Sequence, residues 1–415
     1  MYKTVRECRI CGNVNLSKVI DLGDQTLTGV FPKSKDQKIT CGPIRLLKCG
    51  GEGDLNCCGL LQLGHSYDLN EMYGANYGYR SGLNASMVNH LHKKVKKIVA
   101  LVNPQAGDLV LDIGSNDGTT LGAYPDNYLL VGVDPTSEKF LQHYRDDIRV
   151  LSDFFSADLI ENTFPGRKAK IVTSFSMFYD LEQPLQFMQE VASVLADDGV
   201  WVFEQSYMPT MLRRNSYDTI CHEHLEYYGL SQIKWMVDRA DLKILDVEFN
   251  DVNGGSFSVT VAKKISERPS NIELVSNILR REKALGLSGI EPYVDFDRRI
   301  KAHRQALNNF LEQANLEGKT VYALGASTKG NVILQYCDIS DSDIKGVGEV
   351  NNDKLGAYTP GSLIPIIGET EVLAINPDYL LILPWHFRDF FIKNPAFKGR
   401  NLVFPLPNLE VVRVK

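Results

Sequence analysis

Residues 215–228 read Asn-Ser-Tyr-Asp-Thr-Ile-Cys-His-Glu-His-Leu-Glu-Tyr-Tyr, a run dense in proton-transfer groups. A histidine titrates near neutral pH and suits a general base, and a neighbouring carboxylate can orient or activate it. His222, Glu223 and His224 are therefore the first candidates for proton abstraction. The two histidines share a side only where the backbone is extended, because alternate residues of a strand face the same way. A metal site is the rival reading, but the spacing is not His-Glu-x-x-His, and no third ligand is evident. The plain alternative is a pair of solvated or structural histidines.

Cysteine offers a second chemistry. Six of the eight cysteines lie before residue 60: Cys8, Cys11, Cys41, Cys49, Cys57 and Cys58. Cys8-Arg-Ile-Cys11-Gly puts two thiolates on one tight turn, and structural zinc takes four soft ligands, usually from two such turns. The second pair is Cys49 with Cys58, because Cys58-Gly repeats the first knuckle; Cys57 is the alternative, and Cys41 is left as a free thiol. Such a site has no open position and is structural. Unliganded cysteines in a small core are the bland alternative.

Two glycine turns offer binding. The run 109–113 ends Leu-Asp112-Ile and enters Gly114-Ser115-Asn116-Asp117-Gly118, and the next apolar run, 129–133, is followed by Asp134. Glycines let a backbone approach a ligand at the carboxyl edge of a sheet, and an acid after the second strand can accept ribose hydroxyls. The spacing is neither G-x-G-x-x-G nor a phosphate-cradling P-loop. It resembles the S-adenosylmethionine (SAM) site of class I methyltransferases. The second turn, Gly325-Ala-Ser-Thr-Lys-Gly330, lacks a second-strand acid at the expected place. Ser327, Thr328 and Lys329 suit a diphosphate, through amides at a helix start and one point charge. Trp385 and His386 either line the same cleft or form a strand-end core cluster. Tyrosines and glycines crowd 67–82, which reads as a ligand-facing loop or an aromatic linker.

These groups need scaffolds. A chain of 415 residues is long enough for two or three domains. Its 44% hydrophobic and 23% charged residues are those of a soluble globular protein, and a net charge of −6 gives no footprint for nucleic acid or an anionic membrane. No apolar run is long enough to span a bilayer and the first residues lack a signal-peptide core, so a cytoplasmic protein is expected. An amphipathic helix is expected over 83–101, then strands at 109–113, 129–133, 148–151, 170–175 and 200–204, with helices between them, including 183–195. The turn at 114–118 is expected to enter one of these helices. Strands at 243–249 and 256–263 complete a mixed sheet. This alternation implies a parallel, doubly wound sheet. A helical connection over 271–314, broken near 286–292, leads to a second α/β pattern with strands beginning at Val321 and at 344–350, 363–366 and 379–383.

Together, the Cys-x-x-Cys start, the tyrosine-rich loop, the SAM turn, the His-Glu-His run and Gly325–Gly330 resemble the sugar C-methyltransferase family, over essentially the whole chain. The resemblance implies an α/β protein of three parts: a zinc-binding module (1–70), a class I methyltransferase Rossmann-like domain that binds SAM (71–265), and a helical connection with a second Rossmann-like α/β domain (266–415) helping to hold a nucleotide-linked sugar. It implies methylation at carbon 3 of a nucleotide-linked 4-keto deoxysugar, with His224 as base and Glu223 and Tyr77 or Tyr79 nearby. Asp112, Gly114, Ser115, Asn116, Gly118, Asp134 and Ser176 would hold SAM, and Phe154 or Phe155 would pack on its adenine. Ser327, Thr328, Lys329 and Trp385 would meet the sugar nucleotide. Cys8, Cys11, Cys49 and Cys58 would hold zinc. The chain departs from the family at Cys221, commonly Tyr, and at Ser176-Met-Phe-Tyr179-Asp180, which often includes His; both put the usual sugar in doubt. Methylation on oxygen or nitrogen, or a scaffold that binds without catalysis, are the alternatives. A monomer and a homodimer fit the scattered charge equally.

Overall fold

The computed structural model describes residues 2–50, 57–72 and 79–415. Its organising element is a seven-stranded sheet in the order Leu242–Asn250, Ser256–Lys263, Leu195–Ser206, Ala169–Phe175, Leu109–Ile113, Leu129–Val133, Arg149–Leu151. Only Ser256–Lys263 runs against its neighbours. Strand order reverses between Leu109–Ile113 and Ala169–Phe175, and ligands of open α/β sheets bind in the crevice at the carboxyl ends of such a switch point. The expected strands are all present.

Both faces of this sheet are covered. Trp201 and Phe203 stack at 4.3 Å on one face and meet Phe178 and Phe187. Val110, Leu130, Val200 and Val202 on the other face meet Val95, Ile98 and Val102 of the helix Ala85–Val102. Asn84 starts that helix by accepting from the amides of Ser86 and Met87. One expectation fails. The glycine turn enters no α-helix but a single 3₁₀ turn, Leu121–Ala123. Asn116 and Gly118 hold left-handed backbone, Thr119 and Thr120 are β-branched, and Pro125 lies close behind, so no helix can propagate.

The amino-terminal module contains longer strands than its glycine-broken sequence suggests: Leu16–Thr26 and Cys41–Cys49 pair antiparallel, followed by Leu61–Leu63. The fourth strand of this sheet comes from far away. Glu226–Tyr227, directly after the His-Glu-His run, pairs antiparallel with Leu61–Leu63. Neither side of the module is self-sufficient. Ile20, Leu22, Ile44 and Leu46 share a core with Phe296, Ile300 and Val332, whereas Cys8, Cys49 and Cys58 share one with Tyr228, Leu230 and Ile233.

After helices Ile272–Ala284 and Glu291–Leu316, a six-stranded sheet is built in the order Ile366–Gly368, Val347–Glu349, Val321–Leu324, Tyr379–Ile382, Asn401–Phe404, Glu410–Arg413. The last two strands, each of four residues, were not expected. The strand neighbouring the second glycine turn ends in Glu349, so the acid thought missing is present. Its Oε1 accepts from the amides of Val350 and Asn351 and closes its own turn.

Glu282 fastens the helical connection to the central domain. Its buried carboxylate accepts from the amides of Leu230 and Ser231, at the start of the helix Leu230–Val237, and from the Tyr207 hydroxyl. Gly229 permits this approach, since a Cβ there would stand 3.0 Å from both carboxylate oxygens. Glu282→Ala strands three buried donors and should cost about 2–4 kcal/mol. A urea midpoint unchanged from wild type would show that the cap contributes nothing.

Candidate active site

His224 is set by the turn before it. The 3₁₀ turn Tyr217–Thr219 presents the Thr219 carbonyl 2.7 Å from Nδ1 of His224. A carbonyl only accepts, so Nδ1 carries the proton and Nε2 holds the lone pair. The Tyr179 ring stands edge-on to the imidazole, with centroids 4.4 Å apart. Burial pushes the His224 pKa down to about 4, so the ring is neutral at pH 7. Trp385 braces the same turn from the carboxyl-terminal domain through Nε1–H to Asp218 Oδ2 at 2.8 Å, and it is buried rather than lining a cleft.

Glu223 lies beside the module. Its Oε2 is 3.5 Å from the Thr28 hydroxyl, and its Oε1 would be 2.8 Å from a Cβ on Gly29. Burial raises its pKa. Cys221 is fully buried, and burial together with the adjacent Glu223 keeps its thiol protonated. His222 does not join the group. It turns into the module, with Nε2–H donating to the Gln25 carbonyl at 3.0 Å and its ring edge-on to Tyr67. It ties loop to module, and burial lowers its pKa to about 4.

The glycine turn divides its labour. Gly114 and Gly118 both have positive φ, and Cβ atoms there would meet Met177 and the Tyr144 ring at 2.9 and 2.7 Å. Asp112 is buried beneath the turn, accepts from the Thr173 hydroxyl, and is pushed up to about 7 by burial. It is a floor rather than an open ligand. Asp134 accepts from the Asn116 amide at 2.9 Å and from the amide and hydroxyl of Thr136. Ser115 and the Asn116 carbonyl are bonded to the Tyr144 hydroxyl. Ser176, at the end of the adjoining strand, has φ +57 and its hydroxyl is 3.5 Å from Asn253 Nδ2. Phe154 is 51% exposed and available to an aromatic ligand, whereas Phe155 packs against Phe187.

Sequence reasoning missed how the tyrosine loop is held. Asn116 accepts from the Ser81 amide and donates to the Tyr79 carbonyl. Asp117, 2% exposed, accepts from the Gly82 amide and from Arg80 Nε. The signal was Gly82, where a Cβ would stand 2.6 Å from the Asp117 carboxylate. Tyr79 itself is half exposed above this turn. Tyr77 lies outside the described residues.

On the opposite wall, Ser327 caps the helix Thr328–Tyr336 by accepting from the Gly330 amide. The Thr328 hydroxyl approaches Gly29, near Glu223. Lys329 crosses to the central domain and donates to the Asn253 carbonyl at 2.6 Å.

The thiol cluster fits zinc. The sulfurs of Cys8, Cys11, Cys49 and Cys58 all lie within 4.8 Å of one another. A tetrahedron of Zn–S bonds of about 2.3 Å needs sulfurs roughly 3.8 Å apart. Cys58, not Cys57, completes this set, and Cys41 is exposed at the far end of the strand ending in Cys49. Arg9, between the first two ligands, donates to the Leu63 carbonyl and the Ser66 hydroxyl, and reaches Glu182 and Glu226 at 3.2 and 3.7 Å. The cradle for SAM fits as well: a left-handed glycine turn follows the strand at the switch point, and the strand-end acid Asp134 is bonded to it.

Family models match the chain in tandem: a zinc binding domain over residues 8–73, a methyltransferase domain over 87–247 and a C-methyltransferase C-terminal domain over 251–407. The sheet order and these matches define a SAM-dependent methyltransferase with a structural zinc. With the C-methyltransferase C-terminal domain following the other two, the chain is an enzyme that methylates carbon. It is 27% identical over 422 residues to the C-methyltransferase NovU of Streptomyces niveus, spanning 99% of this chain and 98% of that one. Solved structures with partial likeness include a SAM-dependent methyltransferase of Clostridium acetobutylicum (14% identity, 47% of this chain and 96% of that one, TM-score 0.33). Another is the N-methyltransferase NodS of Bradyrhizobium japonicum (12% identity, 42% and 86%, TM-score 0.31). At these scores neither carries weight. Among the described residues no helix is long and apolar enough to cross a membrane.

Two expectations follow. Removing zinc with a chelator, or replacing Cys58 with Ala, should release the loop held by the module as well as the module; retained thermal stability after verified metal loss would refute that. Buried His222 and His303, each lowered to about 4, take up protons on unfolding below the ordinary histidine pKa near 6.5. Their contribution to stability should therefore be complete above pH 7 and fall between about pH 6.5 and 4, by on the order of 1–2 kcal/mol per histidine at pH 5, while Asp112, raised to about 7, acts in the opposite direction. Urea melts of wild type and His303→Gln at pH 7.5 and pH 5 test this: the variant should lose less stability on acidification, and an equal loss would contradict it.

Proposed function

We propose that this C-methyltransferase acts on a nucleotide-linked keto sugar, at carbon 3 of a 4-keto deoxysugar, by histidine-catalysed deprotonation to an enolate. The observation that carries the reading is the single tautomer imposed on His224, whose free Nε2 lone pair is the form a general base needs. A carbon beside a ketone is acidic enough for such a base because its carbanion delocalises onto oxygen. SAM, when bound, supplies the electrophilic methyl group. Asn116, Asp134, Gly114, Gly118 and exposed Phe154 are the residues suited to hold it, with Asp112 supporting them from below. Tyr179 packs on the base, Glu223 precedes it in the chain, and in this reading the Tyr79 loop closes over the sugar; the start of the helix Thr328–Tyr336, with Ser327 and Thr328, suits the diphosphate. We divide the chain at 1–70, 71–265 and 266–415.

The test is deuterium uptake from solvent at the acceptor carbon with SAM left out. Wild-type protein should exchange one hydrogen on a 4-keto sugar nucleotide. His224→Asn should lose exchange and methylation together by at least 100-fold while binding S-adenosylhomocysteine normally. Full exchange by His224→Asn would remove the base assignment.

A further inference from the structure

A base held near pKa 4 has little intrinsic pull on a carbon acid, so much of the driving force must come from stabilising the enolate oxygen. Several donors around His224 are already engaged. The Cys221 thiol is engaged with Glu223, Trp385 Nε1 with Asp218, and the Thr28 hydroxyl with Glu223. Lys329 differs. Its helix packs on the 3₁₀ turn Tyr217–Thr219 that orients His224, and its side chain crosses to the Asn253 carbonyl. Asn253 in turn touches Ser176, at the carboxyl end of a central strand. The ammonium therefore lies between the two walls of the cleft rather than at the capped helix start. Among the described residues it makes one hydrogen bond, and an ammonium has three donors. It is also the cation whose charge bears on the His224 imidazole.

We propose that Lys329 is a catalytic residue that donates to the developing enolate oxygen, rather than a diphosphate ligand. The proposal rests on the keto-sugar reading above. In the step, the C–H bond at the carbon beside the ketone breaks, its proton passes to His224 Nε2, and the electron pair moves onto the carbonyl oxygen beside the Lys329 ammonium. The ammonium disfavours an imidazolium standing alone. It favours the pair of imidazolium and enolate, because the new negative charge forms between the two cations.

Lys329→Met and Lys329→Arg are compared with wild type on a panel of thymidine-, uridine- and cytidine-diphosphate-linked 4-keto-6-deoxyhexoses, following deuterium uptake without SAM and methylation with it. Binding of S-adenosylhomocysteine by calorimetry confirms that each variant is folded. Lys329→Met should lose kcat for uptake by 100- to 1,000-fold, the usual effect of removing one oxyanion donor, with KM within threefold. Lys329→Arg should recover part of that loss, and added methylammonium should partly rescue Lys329→Ala. A diphosphate ligand would give the opposite split: KM up at least tenfold with kcat retained, which overturns the proposal. Absence of uptake by the wild type on every sugar overturns the keto-sugar reading, and the role of Lys329 with it. Uptake by the wild type that persists undiminished in Lys329→Met overturns the lysine alone.

Discussion

The backbone of Leu225 is hydrogen-bonded in two directions, and the rest of the site depends on it. Its amide donates to the Tyr179 carbonyl at 2.8 Å, and its carbonyl accepts from the Leu63 amide at 2.8 Å. One bond reaches the 3₁₀ turn Phe178–Asp180 that follows the strand Ala169–Phe175 of the methyltransferase sheet, and the other reaches the zinc module. His224 is the residue before, and the strand Glu226–Tyr227 is the pair after. A loop of this kind would ordinarily be mobile, because loops offer few partners for their backbone groups. Here its continuation, Glu226–Tyr227, is the edge strand of a neighbouring sheet, which holds the His224 imidazole in place.

That arrangement explains why the module exists. Its apolar residues are shared out between two cores, and zinc supplies the rigidity that its own packing does not. Gln232 repeats the pattern on a smaller scale, donating to the carbonyls of Cys58 and Gly59 from the helix that Glu282 caps. The module is a fixture for the loop as much as a folding unit.

Much of this was legible in the residues. The central strands could be read because they are five to twelve residues long with continuous apolar character, and Asp112, Asp134 and the glycines mark their ends. The zinc ligands could be read from the repeated Cys-Gly knuckle. Other features were illegible for physical reasons. Nothing local tells His222 from His224; their separation comes from Gln25 and Thr219, one near in space and remote in sequence, the other set by a turn. Likewise, Glu226–Tyr227 is too short to announce itself as a strand, and its partner lies more than 160 residues earlier. The reach of Lys329 to Asn253 is likewise a matter of tertiary packing.

Glu282 carries a consequence for how the chain acquires its shape. The helix Leu230–Val237 lies against the methyltransferase sheet, but the carboxylate that caps it stands 52 residues beyond Leu230. During synthesis, every residue of that sheet has left the ribosome before the cap becomes available. The central domain therefore waits with one flank unfinished until the first connecting helix emerges, and the order in which the chain is made delays the closing of a domain whose own sequence is already complete.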